Sequence, residues 1–319
     1  MTTPLAVEIP VIRRKTQTGD IVARWVVTVF AASILLVTIL VVYQLWVTSA
    51  PSRHKSGFGF LISSQWNPVT EEFGALPFIY GTVVTSVLAL LISIPLGLGA
   101  AIFLAELAPA RVSNSLTFLI ELLAAIPSVI YGLLALFTVV PLMRQYGEPF
   151  LKSTLGFLPF FQGPAYGVGF LTAGIVLSFM TLPFIISVSR ESLLAVPREQ
   201  REAALALGAT RWETTWQVVV PWARLGIFGS IFLSLARALG ETMAVTMVIG
   251  NDPKISASLL ASGYSIAAVI ANEFSEATGA VYPAALVELG LVLFCLTIII
   301  NGMARLMIMA TTGKGTKRA

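Results

Sequence analysis

The sequence predicts an all-α integral membrane protein with six transmembrane helices, and three observations predict it. Of its 319 residues, 56% are hydrophobic and only 11% are charged, against about 45–50% and about 25% in an ordinary soluble domain. So few charges cannot clothe a soluble shell, and the mean hydropathy is +0.87. Six apolar runs reach the roughly 20 residues that a spanning helix needs. Lys and Arg are also spread unevenly over alternate sides of those runs. Collagen-like, disordered and disulfide-stapled classes are excluded by 25 Gly, 17 Pro and one Cys.

Each element follows in chain order. Residues 1–24 form a basic arm with Arg13, Arg14, Lys15 and Arg24. The run 25–47 exceeds the roughly 7–15 apolar residues of a signal peptide, so it reads as an uncleaved first span, and Arg13–Arg14 only superficially matches a twin-arginine signal. A polar stretch, 50–75, precedes the second span, 76–107, whose Pro95 neighbouring helices can tolerate. The third span is placed at 116–143 and carries Glu121; the fourth is at 165–189. A long polar segment, 190–224, leads to a fifth span at 225–250 containing Arg237 and Glu241. The stretch 251–283 includes an apolar run from Ser265 to Asn272 that is too short to span; it reads as a short surface helix or a re-entrant segment. The sixth span, 284–310, holds Glu288 near its start and Asn301 as a helix-packing hydrogen bonder, and 311–319 is a polar tail.

Orientation follows from the cations. With the N-terminus inside, fourteen Lys and Arg fall on the cytoplasmic side, five fall outside, and Arg237 lies within a span. Basic residues accumulate on the cytoplasmic side of a membrane protein, so both termini and 190–224 are expected in the cytoplasm, with 50–75 and 251–283 outside. The net charge of +4 is thereby explained by topology, and no nucleic-acid partner is expected. One histidine, His54, and one cysteine, Cys295, cannot assemble an ordinary zinc site, so neither metal nor cofactor is expected. The tail from Thr312 to Thr316 resembles a phosphate-binding loop superficially, but Ile308 stands where the first Gly belongs and Gly315 where Ser or Thr belongs. ATP hydrolysis by this chain, or any other catalysis, is therefore not expected.

The 190–224 segment carries the densest local signals. Pro197 suits a helix start, residues 198–207 are strong helix formers, and Gly208 suits a left-handed cap. Thr210 and Glu213 form a capping-box pattern that opens a second short helix, which Pro221 would interrupt or end. On local physics this is either a pair of amphipathic helices resting on the bilayer or a low-profile surface, with Ala203, Ala204 and Ala206, that another protein's groove accepts.

The pattern Glu202, Ala203, Ala204, then Gly208, then Val218 to Pro221 resembles the EAA signature of ABC importer permeases, with Val218 and Val220 replacing the usual Ile and Leu. The stretches Arg237–Asn251, Glu121–Gly132, Phe73–Thr82 and Ile270–Phe274 resemble C-type permeases of the phosphate-specific transport system, over roughly residues 57–310. The resemblance implies the type I importer fold and a place in a bacterial inner membrane. It implies an A-type sister permease in a heterodimer, two copies of a nucleotide-binding ATPase subunit, and an extracytoplasmic phosphate-binding protein. Inorganic phosphate would be the cargo. Glu202, Ala203, Ala204 and Gly208 would form the surface that docks into the ATPase and passes its motion to the spans.

Arg237 and Glu241 decide most. A central arginine costs about 2.5–3.5 kcal/mol on insertion scales, so something must offset it. Glu241, four residues on, would share its helical face. One reading is a structural ion pair that staples helices; the other is that Arg237 meets a transported anion, whose oxygens fit a guanidinium fork, while Glu241 holds or releases it. The resemblance favours the second. Glu121 either serves structure, pairing with a cytoplasmic Arg, or repels anions leaving a gate. Glu288 reads as interfacial. Competing functions are a permease for another oxyanion, an ion-coupled secondary transporter, which should show inverted repeats or interrupted helices, and a reporter to a sensor kinase.

Overall fold

The computed structural model describes residues 18–312; the arm through Gln17 and the tail beyond Thr312 lie outside the described residues. Among the described residues, six helices are long and apolar enough to cross a membrane: Gly19–Thr48, Leu76–Leu107, Ser128–Leu155, Phe170–Leu194, Arg211–Leu239 and Val281–Met303. The chain divides into two compact units, 1–47 and 48–319. The first is the helix α1 (Thr18–Thr48), apolar around its whole circumference as a helix in lipid must be.

The second unit opens with α2 (Ala50–Ser56), α3 (Gly59–Ile62) and a hairpin of β1 (Trp66–Asn67) and β2 (Glu72–Phe73). Next come α4 (Leu76–Ile102), prolonged by a wide turn at Phe103–Leu107, and a separate helix, α5 (Ala110–Ala124). The third span is built of α6 (Ser128–Leu134), α7 (Val140–Leu142) and α8 (Glu148–Leu155), joined by wide turns at Ala135–Val139 and Met143–Gly147. Then follow α9 (Phe170–Leu194), α10 (Arg198–Ala206), α11 (Arg211–Thr214), a wide turn at Thr215–Val219, and α12 (Val220–Leu239). The last three are α13 (Met243–Val248), α14 (Ile266–Glu273) and α15 (Val281–Thr312).

Prolines explain most departures from regular helix. Each wide turn among the described residues stands immediately ahead of a proline: Pro109, Pro141, Pro149 and Pro221. In each case the residue before the proline donates its N–H to a carbonyl five residues back: Ala108 to Phe103, Val140 to Ala135, Glu148 to Met143 and Val220 to Thr215. Proline lacks an N–H and its ring crowds the carbonyl four residues back; widening the turn relieves the crowding and keeps the neighbouring N–H bonded. Pro221 therefore does not interrupt its helix, contrary to the sequence expectation, and Arg211–Leu239 is one span. Pro127, Pro197 and also Pro109 stand directly ahead of a helix. Each has ψ between 140° and 147°, an extended conformation compatible with the φ that the ring fixes.

Four sequence expectations need correction. The third span is not 116–143, because Pro127 divides that run between α5 and α6. The fourth is Phe170–Leu194, five residues later than read. The fifth is Arg211–Leu239 rather than 225–250, so 190–224 is mostly helix and only 195–210 links the spans. The Ser265–Asn272 run does not rest on the surface: Ile266, Ala268 and Val269 of α14 are fully buried. Hydropathy locates hydrocarbon-soluble stretches but not helix ends, since polar first turns extend beyond a core about 30 Å thick.

The core lies where α4 packs along α9, with Ala89, Phe170, Val176, Leu177 and Met180 buried together with Val245, Val248 and Ile249. The end bearing 195–210 has its own cluster, which includes Ile102, Leu193, Val219 and Ile227. At the opposite end Phe60, Phe73, Phe78, Tyr264, Ile266 and Leu286 close the bundle. There the Glu273 carboxylate accepts from Trp66 Nε1 at 2.8 Å and Tyr282 Oη at 2.7 Å, tying the hairpin to α14 and α15. Burial pushes the nearby Tyr264 hydroxyl up to about 12, so it stays neutral. Glu288 is buried, 6% exposed, rather than interfacial.

Gly81 allows the closest backbone approach at this end. A Cβ there would stand 2.1 Å from the Tyr264 carbonyl oxygen, and backbone cannot swing aside. Gly81→Ala should destabilise the protein by about 1–3 kcal/mol, the usual cost of overpacking. Gly99→Ala, where a Cβ meets nothing within 4 Å, should not. Thermal unfolding of the two variants in the same detergent checks this; equal Tm values would contradict it.

Candidate functional site

Arg237 and Glu241 are not on one helical face. Helix α12 ends at Leu239, Gly240 caps it with φ −95°, and α13 starts at Met243. The expected four-residue pairing is therefore corrected: Glu241 lies in the break, and its Oε1 accepts the Ala244 N–H at 3.4 Å, capping the next helix. The ion pairs among the described residues are Lys55–Glu71, Arg201–Glu106 and Lys254–Asp252; none joins Arg237 to Glu241. The Arg237 guanidinium is exposed and stands 4.6 Å over the Phe184 ring of α9, an arrangement that attracts a cation without neutralising it.

The two stretches expected to matter, Glu121–Gly132 and Arg237–Asn251, meet in space. A Cβ on Gly132 would lie 2.6 Å from Met247 Sδ and 3.0 Å from Ala244 Cα, so glycine is what lets α6 approach α13. This places Tyr131 within range of the Arg237 charge, and Tyr131 Oη donates to the Leu123 carbonyl at 2.8 Å. The site is thus an exposed arginine at an interrupted helix, flanked by Tyr131, Phe184 and the capping carboxylate of Glu241. Irregular backbone at membrane depth is tolerated where it is packed in protein or lines a cavity. Glu121 is exposed on α5, beyond the Pro127 break from Tyr131.

At the other expected site, α10 ends in a complete Schellman motif. Gly208 has φ +90°, Gly208 N donates to the Leu205 carbonyl and Ala209 N to the Ala204 carbonyl, the arrangement glycine favours. Thr210 and Glu213 make both bonds of a capping box. Glu202, Ala203 and Gly208 are exposed, and Ala204 is half-buried. Leu207 is 90% exposed beside Leu205, Trp212 and Trp216; such an apolar patch at a polar turn is suited to contact with another protein.

Sequence reasoning missed Arg201, counting it only as an orienting charge. Its Nη2 reaches Glu106 Oε1 at 2.7 Å and its Nε reaches Glu106 Oε2 at 3.3 Å. The same guanidinium donates to the carbonyls of Leu193 and Val196. One side chain thus fastens α10 to the last turn of the second span and to the end of α9. Arg190 adds a second tie, with Nη2 3.1 Å from Ser113 Oγ, which itself donates to the Leu104 carbonyl at 2.8 Å. The available signal was a Glu three residues ahead of a helix-ending proline and an Arg in the first turns of a later polar helix; their pairing across 95 residues is a tertiary fact.

A family model for the binding-protein-dependent transport system inner membrane component matches residues 93–308. The chain belongs to this family. Among its curated relatives is a phosphate transport system permease protein PstC of Mesorhizobium japonicum, 48% identical over 288 residues, or 88% of each chain. Another PstC, from Xylella fastidiosa, is 50% identical over 262 residues, 81% of each. That of Pasteurella multocida is 44% identical over 311 residues, 93% of this chain and 97% of its own. Among solved structures, a bacterial ABC transporter involved in import of the acidic polysaccharide alginate superposes with TM-score 0.59 at 17% identity, covering 91% of this chain and 96% of that one. The MetNI methionine ABC transporter gives TM-score 0.53 at 17% identity, covering 77% and 99%. This permease therefore has the ABC importer permease fold.

The Arg201 tie is testable in the permease alone. Removing it leaves Glu106, only 11% exposed, without its counter-charge, which is unfavourable. Arg201→Ala should raise hydrogen exchange of the α10 amides on the order of tenfold, about 1.4 kcal/mol of local stability, while α14 amides stay unchanged. Wild-type exchange in α10 would show that the pair does not hold the helix.

Proposed function

We propose that this chain is a membrane permease subunit of an ATP-driven ABC importer that carries inorganic phosphate into the cell, with Arg237 in the anion pathway. The observation that carries the chemistry is the Arg237 guanidinium, exposed at a helix break with no carboxylate paired to it among the described residues. Its planar fork fits phosphate oxygens. The names of relatives at 44–50% identity over most of the chain support phosphate as cargo.

In this reading the permease pairs with an A-type sister, which contributes further positive charge for a mono- or dianion. Two ATPase copies engage Glu202, Ala203, Ala204 and Gly208, and a phosphate-binding protein delivers cargo to the end formed by the hairpin and α14. The chain sits in a bacterial inner membrane with both termini cytoplasmic, an orientation that its Lys and Arg bias supports. Arg237 attracts the anion electrostatically and orients it by bidentate hydrogen bonds. Glu241 shapes the break rather than neutralising Arg237, and Glu121 stays outside the pathway.

Uptake of labelled phosphate against sulfate, in vesicles holding the reconstituted complex, tests the cargo. Arg237→Gln should lower phosphate uptake about 10- to 100-fold, the weight of a hydrogen bond to a charged group, and Arg237→Lys should retain more. The double variant Arg237→Gln with Glu241→Gln should not recover, since no ion pair exists to be relieved. Recovery to wild-type rates at matched assembly would remove Arg237 from the pathway.

Orientation is checked by single cysteines at Ser63 and Thr210 in a Cys295→Ser background, because Cys295 is exposed. An impermeant thiol reagent should label Ser63→Cys from outside and Thr210→Cys only after permeabilisation. Labelling of both from one side would overturn the topology.

A further inference from the structure

We propose that α5 is a lever linking the coupling helix α10 to the anion site, with Ser113 and Tyr131 as the positioning residues at its two ends; this rests on the permease reading above. Four observations carry it.

First, α5 is built as a separate rod. Its 15 residues extend about 22 Å at 1.5 Å per residue. It is bounded by Pro109 and Pro127, with ψ 147° and 140°, so neither neighbouring helix continues into it. Proline fixes φ at these joints and leaves ψ as the adjustable angle, so the rod can turn as a body about them.

Second, its first turn is tied to the coupling machinery. Ser113 Oγ donates to the Leu104 carbonyl and accepts from Arg190 Nη2. Leu104 lies in the same wide turn, Phe103–Leu107, whose Glu106 holds Arg201 of α10. Displacing α10 thus displaces that turn, and with it the N-terminal end of α5.

Third, its last turn is tied to the anion site. The Leu123 carbonyl accepts from Tyr131 Oη at 2.8 Å, and the next residue, Gly132, packs α6 against Ala244 and Met247 of α13, the helix that Glu241 caps at the break following Arg237. Moving the C-terminal end of α5 moves α6 against that break.

Fourth, only one side of it is held. α5 packs against α9, while Phe118, Leu119, Leu122 and Leu123 are exposed and Ser113 is its one buried residue. A helix tied at both ends and covered on one side can slide along its neighbour and so transmit displacement. A chain of contacts is a coupling route only if its element takes two positions that both sites bias, and the proline joints allow that.

The test uses the whole complex in vesicles and reads phosphate imported per ATP hydrolysed, a ratio that loss of fold or of assembly does not selectively change. Tyr131→Phe keeps the ring and removes only the bond to Leu123. Ser113→Ala removes the bond to Leu104, and Ser113→Thr restores a hydroxyl. Tyr131→Phe and Ser113→Ala should each lower the ratio about fivefold, the equilibrium weight of one hydrogen bond, with the KM for phosphate unchanged. Ser113→Thr should return toward wild type. The double variant should be no worse than the poorer single one, because both cut one link. Ser33→Ala on α1, which removes an exposed hydroxyl bonded to its own helix, should leave the ratio unchanged. A wild-type ratio in Tyr131→Phe, or additive losses in the double variant, overturns the lever. Should the wild-type complex itself import no phosphate, the permease reading fails instead.

Discussion

In hydrocarbon each backbone N–H and C=O must find its partner inside the protein, and this constraint organises the whole molecule. The chain meets it in two ways. At Pro141, Pro149 and Pro221 the preceding turn widens so that the neighbouring N–H still reaches a carbonyl, whereas Pro95 and Pro183 sit within continuous α-helix. Where the helix stops, a side chain or a facing loop supplies the bond. Glu241 takes the Ala244 N–H at the α12–α13 break. On the other side, the amides of Gly169, Phe170 and Leu171 reach the carbonyls of Val248, Ala261 and Leu259. The irregular 249–264 segment is thereby stitched onto the start of α9.

Charge follows the same accounting. Arg201 is half-buried and committed, with a carboxylate and two helix-end carbonyls around it. It is a fastening. Arg237 has an aromatic ring beneath it and is otherwise exposed; cation–π contact attracts it without cancelling its charge. The same residue type therefore stands in opposite states at two places, and the difference lies in the partners that each backbone delivers. A guanidinium that is already satisfied has few donors left for an anion, whereas one held over a ring retains them.

The two sites are joined by short segments whose ends are defined by proline. Pro109, Pro127 and Pro197 mark the places where the path of the chain changes, and the ties made by Arg201, Arg190 and Tyr131 all cross such joints. Rigid pieces held at jointed ends suit a protein whose task is to move in response to a partner, since packed cores do not deform continuously.

The sequence by itself determined the membrane class, six apolar spans, and the glycine cap and capping-box turn at Gly208 and Thr210, because all of these depend on composition or on contacts within a few residues. It also singled out Arg237. Only the tertiary structure decided that Pro127 splits the third apolar run, that the fifth helix begins at Arg211 and breaks at Gly240, and that Glu241 caps a new helix instead of pairing with Arg237. Arg201–Glu106 and Gly132–Ala244 were equally illegible. Hydropathy measures transfer into hydrocarbon and is indifferent to where a helix ends inside it. A helix end is set by which partner, distant in sequence, satisfies the freed backbone, and that partner exists only once the spans have packed.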